Sequence, residues 1–133
     1  MTRDEILSKV RAALEGDLDL RWAYVFGSFV RGERFEDVAV MPRADRMSSL
    51  LALGRLTARL EEATGVRVDV VDLRDAPPLF AGPLLRERLV VLDREPHERA
   101  DWEAETVIRE IDFRQAFDRA EAVRYEAMRK RSA

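Results

Sequence analysis

The most informative absence in this sequence is cysteine, which occurs nowhere among its 133 residues. Without cysteine the chain has neither disulfide bonds nor thiolate metal sites, which suits a reducing compartment. The single histidine, His97, has no partner motif, and we expect it at the surface near a helix start. The sequence has no apolar run long enough to span a bilayer and no signal-type start. We therefore expect a cytoplasmic protein with no membrane partner.

A strong net charge is also lacking. The 23 basic and 26 acidic side chains give a formal charge of -3, so no global basic field attracts nucleic acid. Only the stretch 124–131 is locally basic, and the dipole of a helix C-terminus explains it. The whole sequence is 47% hydrophobic and 37% charged, which is typical of a globular protein with a charged surface. The length predicts one domain over residues 1–133, with no direct nucleic-acid partner.

Periodicity in the first half of the chain predicts two helices and two strands. A capping box at Thr2 opens a short helix that ends near Gly16. The run from Leu20 to Phe26 is apolar on both faces, which indicates a strand in the middle of a sheet. A second strand from Asp37 to Met41 ends at Pro42. Helical spacing from about Arg46 to Thr64 predicts the second helix, whose apolar positions are Leu50, Leu53, Leu56 and Leu60.

The second half predicts a third strand, a short helix, a last strand and a long helix. These elements are expected at Val66–Leu73, Pro83–Arg88, Leu89–Leu92 and about 98–130. A helix between the second and third strands makes them parallel, whereas the short link between the first two permits an antiparallel pair. We therefore predict an α/β (α+β) fold with a small mixed sheet and a core at about 20–93. The long helix carries a broad apolar stripe and offers a surface to a partner or a second copy.

The stretch 24–41, which reads YVFGSFVRGERFEDVAVM, organises the rest of the chain. A strand stops at a Gly-Ser pair, and a second strand then begins with a carboxylate. Because Gly27 has no side chain, a phosphate can approach the backbone there, and the Ser28 hydroxyl adds a donor. Arg31 adds a charged donor nearby. This arrangement is suited to holding a phosphate beside a metal ion at Asp37.

This pattern resembles the signature of the minimal nucleotidyltransferases, the smallest members of the DNA polymerase beta superfamily. In that family a Gly-Ser pair and an Arg-Gly pair precede Asp-x-Asp on a strand, and a third Asp lies on a later strand. The resemblance extends from about 23 to 113. The matching residues are Gly27, Ser28, Arg31, Gly32 and Asp37, together with Asp69 of VRVDVVDL as the third carboxylate.

The resemblance implies a nucleotidyltransferase fold that uses ATP or another nucleoside triphosphate with Mg²⁺. It makes Asp37 and Asp69 the catalytic, metal-binding residues. It assigns nucleotide binding to Gly27, Ser28 and Arg31, with the first two at the turn. In such a site carboxylates hold two Mg²⁺ about 4 Å apart, one activating the attacking oxygen and one clamping the leaving phosphates.

Position 39 departs from the family pattern, because it is alanine where the second Asp of the pair is expected. In the family that Asp bridges both ions, and a methyl group has no lone pair to offer. Alternation along the strand aims Glu36 away from Asp37, which makes it a poor substitute. Glu33, in the preceding turn, is the other candidate. The sequence therefore predicts an impaired or inactive transferase site.

Members of that family are commonly antitoxins that neutralise a HEPN-domain ribonuclease toxin, by attaching AMP to a toxin tyrosine or by binding. The resemblance therefore implies an antitoxin-like nucleotidyltransferase with a HEPN toxin as partner. The alternative is a non-catalytic subunit that neutralises the toxin by complex formation, which Ala39 favours. A third possibility is transfer to a small molecule such as an antibiotic. The chain is short of the extra domain that such enzymes generally use to hold their acceptor.

Other polar and aromatic residues have simpler interpretations. Asp72 lies on the opposite strand face from Asp69 or at the strand end, which predicts a turn or helix contact. Trp22 and Trp102 are expected in the core. Solvated loop charge is the expectation for the two arginines beyond the second strand, Arg43 and Arg46.

Overall fold

The computed structural model describes residues 1–45 and 50–132. Arg46 and the predicted first turn of the second helix lie outside the described residues. The elements in chain order are α1 (Arg3–Glu15), β1 (Leu20–Phe26), a 3-10 turn (Gly27–Phe29), β2 (Asp37–Pro42), α2 (Leu50–Thr64), β3 (Asp69–Asp72), α3 (Pro78–Arg86), β4 (Arg88–Asp93) and α4 (Pro96–Ser132). Within the described ranges, the search for a helix both long and apolar enough to cross a membrane found none.

The four strands form one mixed sheet in the order β3-β2-β1-β4. β1 pairs antiparallel with both β2 and β4, and β2 pairs parallel with β3. The predicted α/β class is confirmed, as are both predicted strand orientations. Because β1 lies inside the sheet and is covered on both faces, its continuous apolar run needs no solvent-facing positions.

Helices cover the sheet on both faces and create two apolar layers. α1 and α2 cover one face, where Val25, Val38 and Val40 of the sheet pack against helix residues such as Leu14 and Leu60. α3 and α4 cover the other face. That second layer contains Trp22, Tyr24, Ala39, Met41 and Leu84, with Trp102 of α4 packed against it.

Two elements begin three or more residues from the predicted start, and one residue predicted on an apolar helix face is exposed. β3 begins at Asp69 rather than at Val66, because it pairs with β2, which itself begins at Asp37, directly opposite. α3 begins at Pro78 rather than at Pro83. A proline at the first helical position loses no hydrogen bond, so the Pro77–Pro78 pair starts this helix rather than breaking the chain. Leu50, predicted on the apolar face of α2, is 91% exposed at its first position.

Both terminal helices follow the sequence prediction closely. The Thr2 hydroxyl accepts the backbone N–H of Glu5 at 3.2 Å, and α1 ends at Gly16. α4 extends two residues beyond each predicted end, and its last buried residue is Glu110. Every described side chain from 111 to 132 is exposed. The distal half of α4 therefore extends away from the folded layers.

Candidate active site

The turn after β1 brings the backbone close to the first carboxylate. Gly27 has φ +75°, a conformation that L side chains rarely adopt. A Cβ added at this glycine would lie 3.2 Å from Oδ2 of Asp37. The N–H of Gly27 donates to the carbonyl oxygen of Glu87 at 3.0 Å, which ties the turn to the start of β4. The missing side chain therefore keeps open the space beside the Asp37 carboxylate.

Ser28 closes the loop that leads to β2. Its hydroxyl donates to the carbonyl oxygen of Arg34 at 3.0 Å, and its own carbonyl oxygen accepts the N–H of Glu33 at 2.9 Å. These two bonds within the loop add to the bond between Gly27 and Glu87 in holding its conformation. A phosphate oxygen that accepts a hydrogen bond from the Ser28 hydroxyl has to replace the carbonyl oxygen of Arg34 as its partner.

Asp37 and Asp69 lie directly opposite each other on parallel neighbouring strands. The N–H of Asp69 donates to the carbonyl oxygen of Glu36 at 2.8 Å, which holds this register. Residues paired in register project from the same sheet face, so the two carboxylates share one edge of the sheet. Burial raises the pKa of Asp37, and the negative charges of Asp69 and Glu36 raise it further. The two carboxylates repel each other, and their oxygen atoms are the hard ligands that Mg²⁺ prefers. A divalent cation such as Mg²⁺ between them would therefore stabilise their ionised forms.

Ala39 follows Asp37 by two residues and projects from the same face of β2. Its exposed fraction is 0%, and it lies in the apolar layer with Trp22, Tyr24 and Leu84. The position that the family resemblance assigns to a second carboxylate is therefore sealed beneath α3 and α4. Across the described part of the chain, no group of three or more His, Cys, Asp or Glu side chains is arranged to hold a metal ion. The donor set fits one divalent ion better than two.

Arg31 is half exposed and is paired with an acidic residue that no sequence motif indicated. Its guanidinium forms an ion pair with Glu87, and a longer contact of 3.9 Å joins it to Glu33. Glu87 thus contacts two predicted nucleotide-binding residues, through its carbonyl oxygen to Gly27 and through its carboxylate to Arg31. The antiparallel pairing of β1 with β4 brings it there. No local motif around Glu87 signals this contact.

A second polar cluster on the α4 side of the sheet is structural. Tyr24 donates to Oε2 of Glu103 at 2.7 Å, and Arg88 and Arg99 bind the same carboxylate. Burial raises the pKa of Tyr24, and its bond to Glu103 raises it further. Burial alone would raise the pKa of Glu103, but the bonds from Arg88 and Tyr24 hold it below its usual value. The cluster therefore docks α4 against β1 and β4 with its charges neutralised.

The expectations for Asp72, Trp22, Trp102, His97 and Arg43 agree with the structure. Asp72 accepts the N–H of Arg74 at 2.9 Å and forms an ion pair with its guanidinium at 2.7 Å, as a turn residue does. Trp22 is buried, and Trp102 packs against the same layer. His97 is exposed in the first turn of α4. Arg43 is exposed, and its carbonyl oxygen accepts a bond from Arg74.

The fold and the site together define a nucleotidyltransferase-type protein. The model of the family described as "Polymerase beta, Nucleotidyltransferase" matches residues 8–97, which include all four strands and both carboxylates. This chain belongs to that family.

The proteins similar to this chain include one sequence relative and two solved structures. The protein adenylyltransferase MntA of Thermococcus cleftensis is 34% identical over 90 residues, covering 66% of this chain and 91% of that protein. A chain of the solved complex between the tri-AMPylated Shewanella oneidensis HEPN toxin and its MNT antitoxin has a TM-score of 0.70 at 18% identity. The match covers 96% of this chain and 99% of that one. A toxin–antitoxin structure with AMP-PNP matches with a TM-score of 0.62 at 20% identity, covering 96% and 99%. At these identities the solved structures show a shared fold.

Proposed function

We propose that this chain is an antitoxin of the minimal nucleotidyltransferase type, which binds ATP and transfers AMP to a HEPN-domain toxin. The observation that carries the proposal is the register pairing of Asp37 with Asp69 beside the Gly27 turn. Membership of the polymerase beta family supports nucleotidyl transfer. The adenylyltransferase relative supports AMP as the group transferred and a protein as the acceptor.

In AMP transfer, an acceptor hydroxyl oxygen forms a bond to the α-phosphorus of ATP. The bond from that phosphorus to the bridging oxygen breaks, and pyrophosphate leaves with the bonding electrons. The hydroxyl proton passes to solvent, which reaches the site because Asp69 is exposed at the start of β3. The protein's task is to place the phosphates and the acceptor in line and to stabilise the charge on the leaving group.

The turn residues supply phosphate contacts in this proposal. The space beside Gly27 admits a phosphate oxygen close to the backbone, and Arg31 supplies a charged donor. Arg31 has to exchange Glu87 for phosphate when ATP binds, because its guanidinium is already paired. Asp37 and Asp69 would hold one Mg²⁺, which when bound would neutralise phosphate charge and favour the departure of pyrophosphate. We therefore propose ATP with Mg²⁺ as the substrate.

The rate of AMP transfer that we expect follows from Ala39, which replaces a metal-binding carboxylate of the family pattern. Loss of a residue that only supports a metal ligand typically costs about 10- to 100-fold in affinity or activity. Loss of a direct ligand costs more, so we expect slow transfer relative to relatives that have three carboxylates.

The burial of Ala39 favours a second candidate function, in which the chain neutralises its toxin by binding alone. A methyl group packed among Trp22, Tyr24 and Leu84 stabilises the fold at the expense of the second metal position. In this candidate function the nucleotide site is retained as part of the fold but has no catalytic role. The two functions differ in whether AMP appears on the toxin.

Calorimetry with Mg²⁺ and a nonhydrolysable ATP analogue tests the site. We expect weak, Mg²⁺-dependent binding by the wild type and a loss of at least about tenfold in Asp69→Asn. Asp112→Asn, which removes an exposed carboxylate from α4, is the matched control and should bind like the wild type. Equal binding by Asp69→Asn would overturn the assignment of Asp69. No binding by any of these proteins would leave only the second candidate.

Transfer is tested with labelled ATP and a HEPN-domain toxin, taken from the gene next to this one if that gene encodes such a protein. We expect slow incorporation of AMP by the wild type, none by Asp37→Asn, and faster incorporation by Ala39→Asp. Because position 39 is buried, the thermal unfolding of Ala39→Asp is measured first, with and without Mg²⁺. If toxin inhibition persists in Asp37→Asn without any AMP incorporation, neutralisation is by binding and the second candidate is correct.

A further inference from the structure

The distal half of α4 is an exposed rod. α4 runs to Ser132, and every described side chain from 111 to 132 is exposed. At 1.5 Å per residue this stretch is about 33 Å long. Helices of this length gain little stability from propensity alone in water and are normally stabilised by packing an apolar face. The apolar side chains of this stretch are therefore poorly explained by the folding of this chain.

One face of the rod continues the face by which α4 docks to the protein. Thr106 and Glu110 are the buried residues of α4, and helical spacing of three and four extends their line along the exposed stretch. On this line Phe113, Phe117 and Met128 are 48%, 55% and 61% exposed. We call this line the distal face, and its members are Phe113, Phe117, Ala120, Arg124 and Met128.

The distal face lies outside the part of the chain that family membership explains. The family model ends at residue 97, where α4 has just begun. The chain from the HEPN toxin–MNT antitoxin complex, in contrast, matches 96% of this protein, so its fold includes most of α4. Asp37 and Asp69 lie in the sheet, within the matched region. The exposed stretch of α4 is therefore an addition to the nucleotidyltransferase core rather than a part of it.

We propose that the distal face is the surface through which this chain holds its toxin, an inference that rests on the proposed antitoxin function. Large apolar side chains that are regularly spaced on one helix face fit an apolar groove on a partner protein. Arg124 lies in the middle of the line and pairs with Glu121 of its own helix at 3.3 Å. The matching surface of the toxin therefore combines an apolar groove with an acidic group that replaces Glu121.

In a parallel arrangement, a second copy of this chain fits the distal face less well than a different protein does. Parallel pairing of two such helices would set the two Arg124 side chains opposite each other, and like charges at a helix interface are unfavourable. An oppositely charged partner surface removes this conflict. The toxin is thus the occupant that the charge pattern favours.

The test measures, by calorimetry, complex formation between full-length variants and a HEPN-domain protein, if one is encoded by the gene next to this one. We expect Phe117→Ala to weaken the complex at least about tenfold, as truncation of a buried aromatic anchor does. Arg124→Glu should weaken it similarly. Tyr125→Ala is the matched control, because Tyr125 is also an exposed aromatic residue but lies on another face of the same helix. It should bind within about twofold of the wild type.

The outcomes separate this inference from the proposed function. Unchanged toxin affinity in both Phe117→Ala and Arg124→Glu would overturn the docking surface while leaving the antitoxin function in place. Equal weakening by Tyr125→Ala would do the same. If the wild type forms no complex, or no HEPN-domain protein is encoded there, the antitoxin function fails along with the surface. If sedimentation of the protein alone shows a dimer that Phe117→Ala dissociates, the occupant is a second copy and the proposal is wrong.

Discussion

Asp37 is the residue whose ionisation reports most directly on the site. It is half-buried, and Asp69 lies opposite it across the parallel strand pair. Burial, then the charge of Asp69, then that of Glu36 raise its pKa above the usual range for an aspartate. A cation between the two carboxylates would reverse the effect of Asp69, because it favours the ionised form of both.

We expect Asp69→Asn to lower the pKa of Asp37 and Mg²⁺ to lower it in the wild type. The sign follows from charge, since Asn removes a repelling carboxylate and Mg²⁺ adds an attracting cation. A raised pKa also means that Mg²⁺ affinity falls as the pH drops through the titration of Asp37. Carboxyl-carbon NMR titration measures both shifts, with Asp112 as an exposed reference. An Asp37 pKa that is the same in the wild type and in Asp69→Asn would contradict the proximity on which the site depends.

Glu87 competes with phosphate for Arg31. We expect Glu87→Gln to raise the affinity for Mg²⁺ and the ATP analogue by a few-fold, because the guanidinium loses a charged partner. The change is small because both side chains are about half exposed and water screens their attraction. Glu33→Gln should have a smaller effect, since the Glu33 carboxylate is farther from Arg31. Weaker nucleotide binding by Glu87→Gln in calorimetry would show instead that the ion pair positions Arg31 for phosphate.

At the scale of single elements, the sequence correctly predicted the features that depend only on residues adjacent in the chain. The apolar run of β1, the Gly-Ser turn and the capped start of α1 depend on adjacent residues, and all three were predicted from them. The limits of β3 depend on where β2 offers a partner, so the β-branched run from Val66 overstated its length. α3 was misplaced because Pro77 and Pro78 are equally compatible with a turn and with a helix start.

The contact between α3 and α4 depends on a glycine that sequence alone does not single out. A Cβ at Gly82 would lie 1.4 Å from Oε2 of Glu110 and 2.8 Å from its Cγ. Glu110 is buried and pairs with Arg86 at 2.8 Å and with Arg114 at 3.4 Å. A side chain at position 82 therefore displaces the whole Glu110 side chain, and with it both ion pairs.

We expect Gly82→Ala to lower the free energy of unfolding by about 1–3 kcal/mol, the usual cost of overpacking. The loss exceeds the gain that alanine brings as a helix former, about 1 kcal/mol. Gly54→Ala in α2 is the matched control, because a Cβ there would meet no atom within 4 Å among the described residues, apart from its chain neighbours and its own helix backbone. It should stabilise the protein slightly. Urea unfolding of both variants decides the matter, and a stabilised Gly82→Ala would show that Glu110 can move aside at no cost.

At the scale of the whole molecule, the candidate site was only partly predictable. Gly27, Asp37 and Asp69 lie on elements whose order and orientation could be inferred, so their meeting could be predicted. The roles of Glu87 and Ala39 depend on tertiary packing. β4 brings Glu87 to the turn, and two helices from later in the chain bury Ala39. Sequence therefore showed which ligand position is missing, but not that a packed apolar layer occupies it.

α4 is packed against the protein in its first half and exposed in its distal half, and this difference determines how each half contributes to stability. Thr106 and Glu110 are the most distal buried residues of α4, and Glu103 anchors the helix to Tyr24 and Arg88. Removal of residues 115–132 leaves all of these contacts intact, along with the Arg114 partner of Glu110. The stability of the layers around the sheet should therefore be independent of the distal half of α4.

We expect deletion of 115–132 to leave the melting temperature within about 2 °C of the wild type, since a 1 kcal/mol change shifts it by about 4–8 °C in domains of 60–100 residues. Helical circular dichroism should fall, because the deleted segment is helical. Deletion from residue 100 is the contrasting variant, because it removes Trp102 and Glu103 and should unfold the protein. A large drop in melting temperature on the shorter deletion would mean that the distal half stabilises the isolated chain. Its apolar face would then serve folding rather than a partner.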